Sequence, residues 1–68
     1  MAIILQYFVF DESGNDILEA GGIPCDNEQE LHEISNEIIE QVVKKDGLGL
    51  ILNDNTNGKV LYNSKEEK

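Results

Sequence analysis

Residues 27–45, NEQELHEISNEIIEQVVKK, are the longest segment with helical periodicity, and they separate two pairs of strand-like segments. Their apolar side chains recur at three- and four-residue spacing, which places them on one side of an α-helix. These side chains are Leu31, Ile34, Ile38, Ile39, Val42 and Val43. The spacing predicts one amphipathic helix over residues 27–45, with a hairpin on either side.

Both ends of the predicted helix have recognisable capping residues. Asp26, followed three residues later by Gln29, matches a capping box, in which a side chain accepts hydrogen bonds from free amides of the first turn. Lys44 and Lys45 suit the negative end of the helix dipole. Gly47 can adopt the left-handed conformation that often closes a helix.

The segments flanking the helix predict four strands. Residues 2–10, AIILQYFVF, are rich in β-branched and aromatic side chains and predict the first strand. A turn at 11–16 precedes a short second strand at 17–20, and GGIPC at 21–25 predicts a break. Beyond the helix we predict a strand at 48–52, a turn at 53–58 and a strand at 59–63, with Asn57-Gly58 favouring a hairpin.

The resulting order, β-β-α-β-β, resembles that of the β-grasp folds. This resemblance implies that the first and fourth strands lie side by side and parallel, with the helix as the crossover. It lies in the order of elements and implies no function. The main alternative is an all-antiparallel sheet with the helix on one face. Either way we predict an α+β fold with a four-stranded sheet and one packed helix, a single domain over residues 1–63 and a frayed tail at 64–68.

The charge of the chain limits its partners. Fourteen Asp and Glu residues against five Lys and no Arg give a net charge of −9. Phosphates and anionic membrane surfaces repel such a chain, so we predict no direct binding to nucleic acid or membrane. A basic protein partner is favoured instead. With one cysteine, and without the basic residues and cleavage site of a signal peptide, the chain is expected to be soluble and cytoplasmic.

A cysteine-based active site lacks a base. Cys25 precedes the helix, where free amides can lower the pKa of a thiol. The only histidine, His32, lies two turns along the helix, which is too far to activate that thiol. We therefore predict that Cys25 is a small core residue and that His32 is exposed to solvent.

Two polar loops resemble cation sites only superficially. Residues 53–58, NDNTNG, match the start of a calcium loop, but Asn53 stands at the first position and Ser64 at the twelfth, where a bidentate Glu is required. Asp11, Glu12 and Asp16 fit a charged, solvated turn. We predict no catalytic residue, no metal site and no cofactor, so the chain is not expected to be an enzyme.

A row of carboxylates along the helix is the first indication of a binding function. Its members are Glu30, Glu33, Glu37 and Glu40. Like charges at this spacing repel, so the row costs stability. Our first hypothesis is an acidic inhibitor or decoy that imitates phosphates and binds a basic, nucleic-acid-handling protein. Phage-encoded inhibitors and antitoxin or immunity proteins have comparable size and charge. The competing interpretation is a solvated helix face.

The first strand is the second indication, because it is apolar on both faces. One helix covers only one face of a sheet, so Ile4, Phe8 and Phe10 are expected to remain on an uncovered face. Our second hypothesis is a homodimeric scaffold or regulatory module assembled through that face. Shielding of the same face by long neighbouring side chains is the alternative. An enzyme using Cys25 or a cation site ranks third.

Overall fold

The chain folds into two antiparallel β-hairpins joined by a helix, in a computed structural model that describes residues 2–65. The elements are β1 (Ile3–Phe10), β2 (Ile17–Cys25), α1 (Glu28–Ile38), a π-helical segment (Ile39–Lys45), β3 (Gly49–Asp54) and β4 (Lys59–Asn63). The predicted α+β class, with a helix packed on a four-stranded sheet, is confirmed.

The four strands are all antiparallel and lie in the order β2-β1-β3-β4. The parallel pairing of β1 with β4 implied by the β-grasp resemblance is therefore wrong, and the all-antiparallel alternative is correct. β3 pairs with β1 on one side and with β4 on the other, and its Leu50 and Leu52 are completely buried. β4 begins with exposed Lys59 and Val60 and occupies an edge.

The helix covers the face of the sheet formed by alternate residues of β1, beginning at Ile3. Leu5 and Val9 on this face pack with Leu31 of the helix and the leucines of β3 in one buried cluster. All six apolar helix positions predicted from the sequence belong to this cluster or pack against it. The predicted amphipathic pattern is thus confirmed, and the core lies entirely between the helix and one sheet face.

The second strand is longer than predicted, because residues 21–25 continue it instead of breaking it. Gly21 lies opposite Tyr7, and Pro24 lies opposite Ile4. β2 is an edge strand, and an edge strand tolerates proline because one side of its backbone has no partner strand.

The second hairpin also differs from the prediction in its bounds. β3 ends at Asp54 rather than at Leu52, so the turn is shorter than expected. Gly58 adopts a φ of +70° and donates its amide to the Asp54 carbonyl at 2.9 Å. The glycine of Asn57-Gly58 therefore supplies the left-handed residue of the turn, and β4 spans the predicted residues.

The helix begins one residue later than predicted. Asn27, not Asp26, is the N-cap, and its Oδ1 accepts the Glu30 amide at 2.9 Å. Asn27 has the extended backbone that a cap requires, with φ −157°. The Glu30 carboxylate in turn accepts the Asp26 amide at 3.1 Å. Glu30 therefore has a structural task at the start of the helix.

The last two turns of the helix are π-helical, where an α-helix was predicted up to Lys45. The amide of Asp46 bonds the Gln41 carbonyl at 3.1 Å, five residues back, which is the hydrogen bond of a π-helix. The wider turn brings both Val42 and Val43 against the core. Gly47 closes the segment with φ +71°, as predicted.

Ser64 and Lys65, expected to belong to a frayed tail, are hydrogen bonded to the rest of the fold. The Ser64 hydroxyl accepts the Leu50 amide at 2.8 Å, and Lys65 Nζ donates to the Gly14 carbonyl at 2.8 Å. Residues 66–68 of the predicted tail lie outside the described residues.

Candidate partner-binding surfaces

The four glutamates of the predicted acidic row are not equivalent. Glu30 is half-buried and caps the helix, and Glu40 pairs with Lys44 at 3.0 Å. Glu33 and Glu37 are exposed, and neither makes a hydrogen bond or ion pair within residues 2–65. The row therefore reduces to one unpaired couple of carboxylates, a single helical turn apart.

The helical part of the chain nevertheless carries the largest share of the negative charge. Seven of the fourteen acidic residues lie between Asp26 and Asp46, against only Lys44 and Lys45. Glu28 lies in the first helical turn, where the helix dipole favours a negative charge. Asp46 lies at the opposite end, where the dipole disfavours one.

The strand residues on the opposite face of the sheet are uncharged. We define the open sheet face as the β1 residues on the side of the sheet away from the helix, together with the residues aligned with them across β2, β3 and β4. These residues are Ile4, Gln6, Phe8, Phe10, Ile17, Ala20, Gly22, Pro24, Gly49, Ile51, Asn53, Val60 and Asn63. None of them carries a charge, and none belongs to the core beneath the helix.

The open sheet face contains the three apolar residues predicted to remain uncovered. Phe8 lies between Ala20 of β2 and Ile51 of β3, and Ile4 lies earlier in β1 on the same face. The Phe10 ring is partly screened, because Lys65 Nζ lies 4.6 Å from its centroid. Shielding by a long neighbouring side chain is therefore found at Phe10, at one end of the face.

The single cysteine is unsuited to nucleophilic chemistry. Cys25 is completely buried, and its Sγ lies 3.6 Å from the Ile23 carbonyl oxygen. Burial raises the pKa of its thiol, and the negative charges of Glu30 and Asp26 raise it further. His32 is exposed on the helix. The thiol therefore favours its neutral, unreactive form.

The polar loops use their carboxylates to build turns. Asp11 Oδ1 accepts the Ser13 hydroxyl at 2.7 Å and the Asn15 amide at 3.1 Å, and these hydrogen bonds hold the pKa of Asp11 below its ordinary value. Asp54, in the segment that resembled a calcium loop, is buried and accepts the Thr56 amide at 2.9 Å. Within residues 2–65, no three His, Cys, Asp or Glu side chains converge as metal ligands.

A groove of about 380 Å³ lies beside the helix, and the sequence did not reveal it. Its apolar lining comes from both strands of the first hairpin, from the helix and from the residue that precedes β3: Val9, Ile23, Ile38, Val42 and Leu48. Tyr7, Glu19 and Asp46 complete it. These residues come from distant parts of the chain, so no local motif marks the groove.

One hydrogen bond organises the polar side of this groove. The Tyr7 hydroxyl donates to Glu19 Oε2 at 3.1 Å, and this bond raises the pKa of Tyr7 above its ordinary value. A Cβ atom at Gly21 would lie 2.7 Å from the Tyr7 hydroxyl oxygen. The missing side chain of Gly21 is therefore what allows the tyrosine to extend across β2 to Glu19.

The chain matches no protein-family model, no curated protein and no solved structure. No helix within residues 2–65 has the length and apolar character needed to cross a membrane.

Proposed function

We propose that the protein is a small acidic interaction module that binds a basic protein partner through its helix side. The observation that carries this proposal is the separation of charge across the sheet. Acidic residues are concentrated along residues 26–46, whereas every position of the open sheet face is uncharged. Concentrating charge of one sign on one side strengthens the local field and the steering of a basic partner.

Glu33 and Glu37 are the centre of this proposed contact. Their carboxylates are about 6 Å apart along the axis at 1.5 Å per residue. Because both are exposed and unpaired within the described structure, a partner's cations meet them without displacing an internal bond. The partner class that fits best is a nucleic-acid-handling protein, whose basic groove the acidic helix would occupy as an inhibitor or decoy.

The test uses the partner captured from the native cell at low salt. We expect Glu33→Lys combined with Glu37→Lys to weaken binding to that partner at least tenfold and to reduce its salt dependence. Glu12→Lys combined with Asp16→Lys, in the turn between β1 and β2, makes the same change of net charge away from the helix. Equal losses in both variants, or a captured partner without a basic surface, would contradict the proposal.

A homodimeric scaffold or regulatory module is the second candidate, and the neutrality of the open sheet face favours it. Two molecules of charge −9 repel, and this face is where they approach with the fewest charges between them. Four strands spaced about 4.8 Å apart, with a mean length of seven residues at about 3.4 Å per residue, outline roughly 450 Å² in projection. That area is below the roughly 800 Å² per partner of a typical stable interface, so we expect micromolar association.

Sedimentation across micromolar concentrations tests the second candidate. The expected species is twice the 7.6 kDa mass of the chain, and Phe8→Glu should return it to the single-chain mass. Gln29→Glu adds the same charge on the helix and should leave the dimer unchanged. A chain that stays monomeric at the highest concentrations would exclude this candidate without affecting the binding of a basic partner.

A further inference from the structure

The groove between the helix and the first hairpin combines apolar walls with a negatively charged rim. Val9 and Ile23 contribute from the sheet, while Ile38 and Val42 contribute from the helix. An aliphatic chain inserted here meets apolar surface along its length. Such a lining suits the stem of a long side chain better than it suits a hydrated ion.

The polar residues at the rim include two exposed carboxylates. Glu19 has one oxygen, Oε2, engaged by the Tyr7 hydroxyl, and no hydrogen bond within residues 2–65 occupies Oε1. Asp46 makes no side-chain ion pair in that part of the chain, because the nearby Lys44 pairs with Glu40 instead. Both carboxylates therefore retain acceptor capacity for a cation.

The position of Asp46 is unfavourable for an isolated fold. Asp46 caps the C-terminal end of the helical segment, where the dipole already presents negative charge. A cation placed beside Asp46 relieves that repulsion. Tyr7 lies in the same groove and offers an aromatic ring, on which a planar cation can stack.

We propose that this groove binds an arginine side chain of the basic partner, a proposal that rests on the function proposed above. The methylene stem lies along the apolar walls, and the guanidinium group reaches Glu19 and Asp46 beside the Tyr7 ring. Arginine fits better than lysine because its guanidinium is planar, bonds carboxylates in a forked geometry and stacks on aromatic rings. Buried arginines are also among the residues that dominate interface affinity.

The groove is tested without the partner by titrating the full ¹⁵N-labelled chain with n-butylguanidinium at millimolar concentrations. We expect saturable shift changes centred on Tyr7, Glu19 and Asp46. The neutral isostere n-butylurea should bind at least fivefold more weakly. Glu19→Gln combined with Asp46→Asn should weaken n-butylguanidinium binding at least tenfold, and both positions are exposed, so the fold should be retained.

The charge-matched control is Glu12→Gln combined with Asp16→Asn, two exposed residues outside the groove, which should alter n-butylguanidinium binding less than twofold. Equal shifts with n-butylurea, or equal losses in the control, would overturn the arginine site.

The captured partner separates this proposal from the one on which it rests. If partner binding depends on Glu33 and Glu37 but ignores Glu19→Gln with Asp46→Asn, the groove proposal fails and the acidic module stands. If the groove binds n-butylguanidinium but no basic partner is captured, the proposed function fails while the cation site of the groove is supported.

Discussion

The two faces of the sheet are built by the same strands and differ in almost every physical respect. The covered face contributes Leu5, Leu50 and Leu52, all completely buried beneath the helix. The open sheet face contributes half-buried Phe8 and Ile51, with no helix over them. Strand sequence alone does not make a core, because burial depends on what lies above each face.

Neighbouring residues of β3 give the largest expected contrast between the faces. Leu50→Ala empties a completely buried site and should lower the free energy of unfolding by about 2–5 kcal/mol. Ile51→Ala, on the other face of the same strand, should cost less than half as much, because water already reaches that site. Denaturant unfolding at low protein concentration measures both. Equal losses would show that the open sheet face is covered, and a loss for Ile51→Ala that grows with concentration would identify a second copy as the cover.

The adjacent glycines of β2 give the next contrast. Gly21→Ala forces a Cβ atom to within 2.7 Å of the Tyr7 hydroxyl on the covered face. Moving that ring should cost about 1–3 kcal/mol. Gly22→Ala meets a methyl group of Ile4 at 3.0 Å on the open sheet face, and alanine also favours a strand more than glycine does. Its effect on thermal unfolding should be less than half that of Gly21→Ala. The reverse order would contradict the described packing of Tyr7.

The start of the helix over the covered face gives a smaller effect. Asn27→Ala removes the cap and should cost about 1 kcal/mol, whereas Asp26→Ala should change stability little, because its side chain caps nothing. Chemical denaturation of the two variants compares them directly. A greater loss for Asp26→Ala would restore the capping assignment predicted from the sequence.

The smallest effect is an electrostatic one at the edge of the covered face. Hydrogen bonding to Glu19 stabilises the protonated phenol of Tyr7 and raises its pKa. Because the pKa is raised on folding, this contribution to stability is complete below the unfolded value of about 10 and is lost as pH rises through the folded value. Carbon NMR of labelled tyrosine rings follows the titration. Glu19→Ala removes the acceptor and should return the pKa of Tyr7 towards its ordinary value, and an unchanged titration would exclude this hydrogen bond as the cause.

Local pattern predicted the elements well but their neighbours poorly. The apolar spacing from Leu31 to Val43 indicated the helix because that spacing is a property of the segment itself. The sequence predicts a break at Gly21 and Pro24, because it does not reveal that their strand lies at an edge of the sheet. The free-energy cost of proline is smaller in an edge strand, and Gly21 lies opposite Tyr7, whose side chain needs the space. The sequence leaves the strand order open for the same reason, since pairing depends on the whole set of strands.

The candidate surfaces were only partly predictable. The uncovered residues Ile4, Phe8 and Phe10 follow from alternation along one strand. The internal hydrogen bonds of the helix glutamates do not follow from such a pattern, because the bond that the Asp26 amide donates to Glu30 depends on which residue caps the helix. The groove has no local pattern at all, since Tyr7 and Asp46 line the same groove only after the hairpin and helix have packed.

Complete burial of Cys25 gives the molecule a built-in reporter of its own opening. A thiol reagent added to the folded protein finds no accessible sulfur, so labelling proceeds only when the end of β2 separates from the helix. If β2 returns to its place faster than the reagent reacts, the labelling rate measures the free energy of that opening in plain buffer, without any denaturant. The same burial prevents two folded copies from becoming covalently linked through this residue in oxidising conditions.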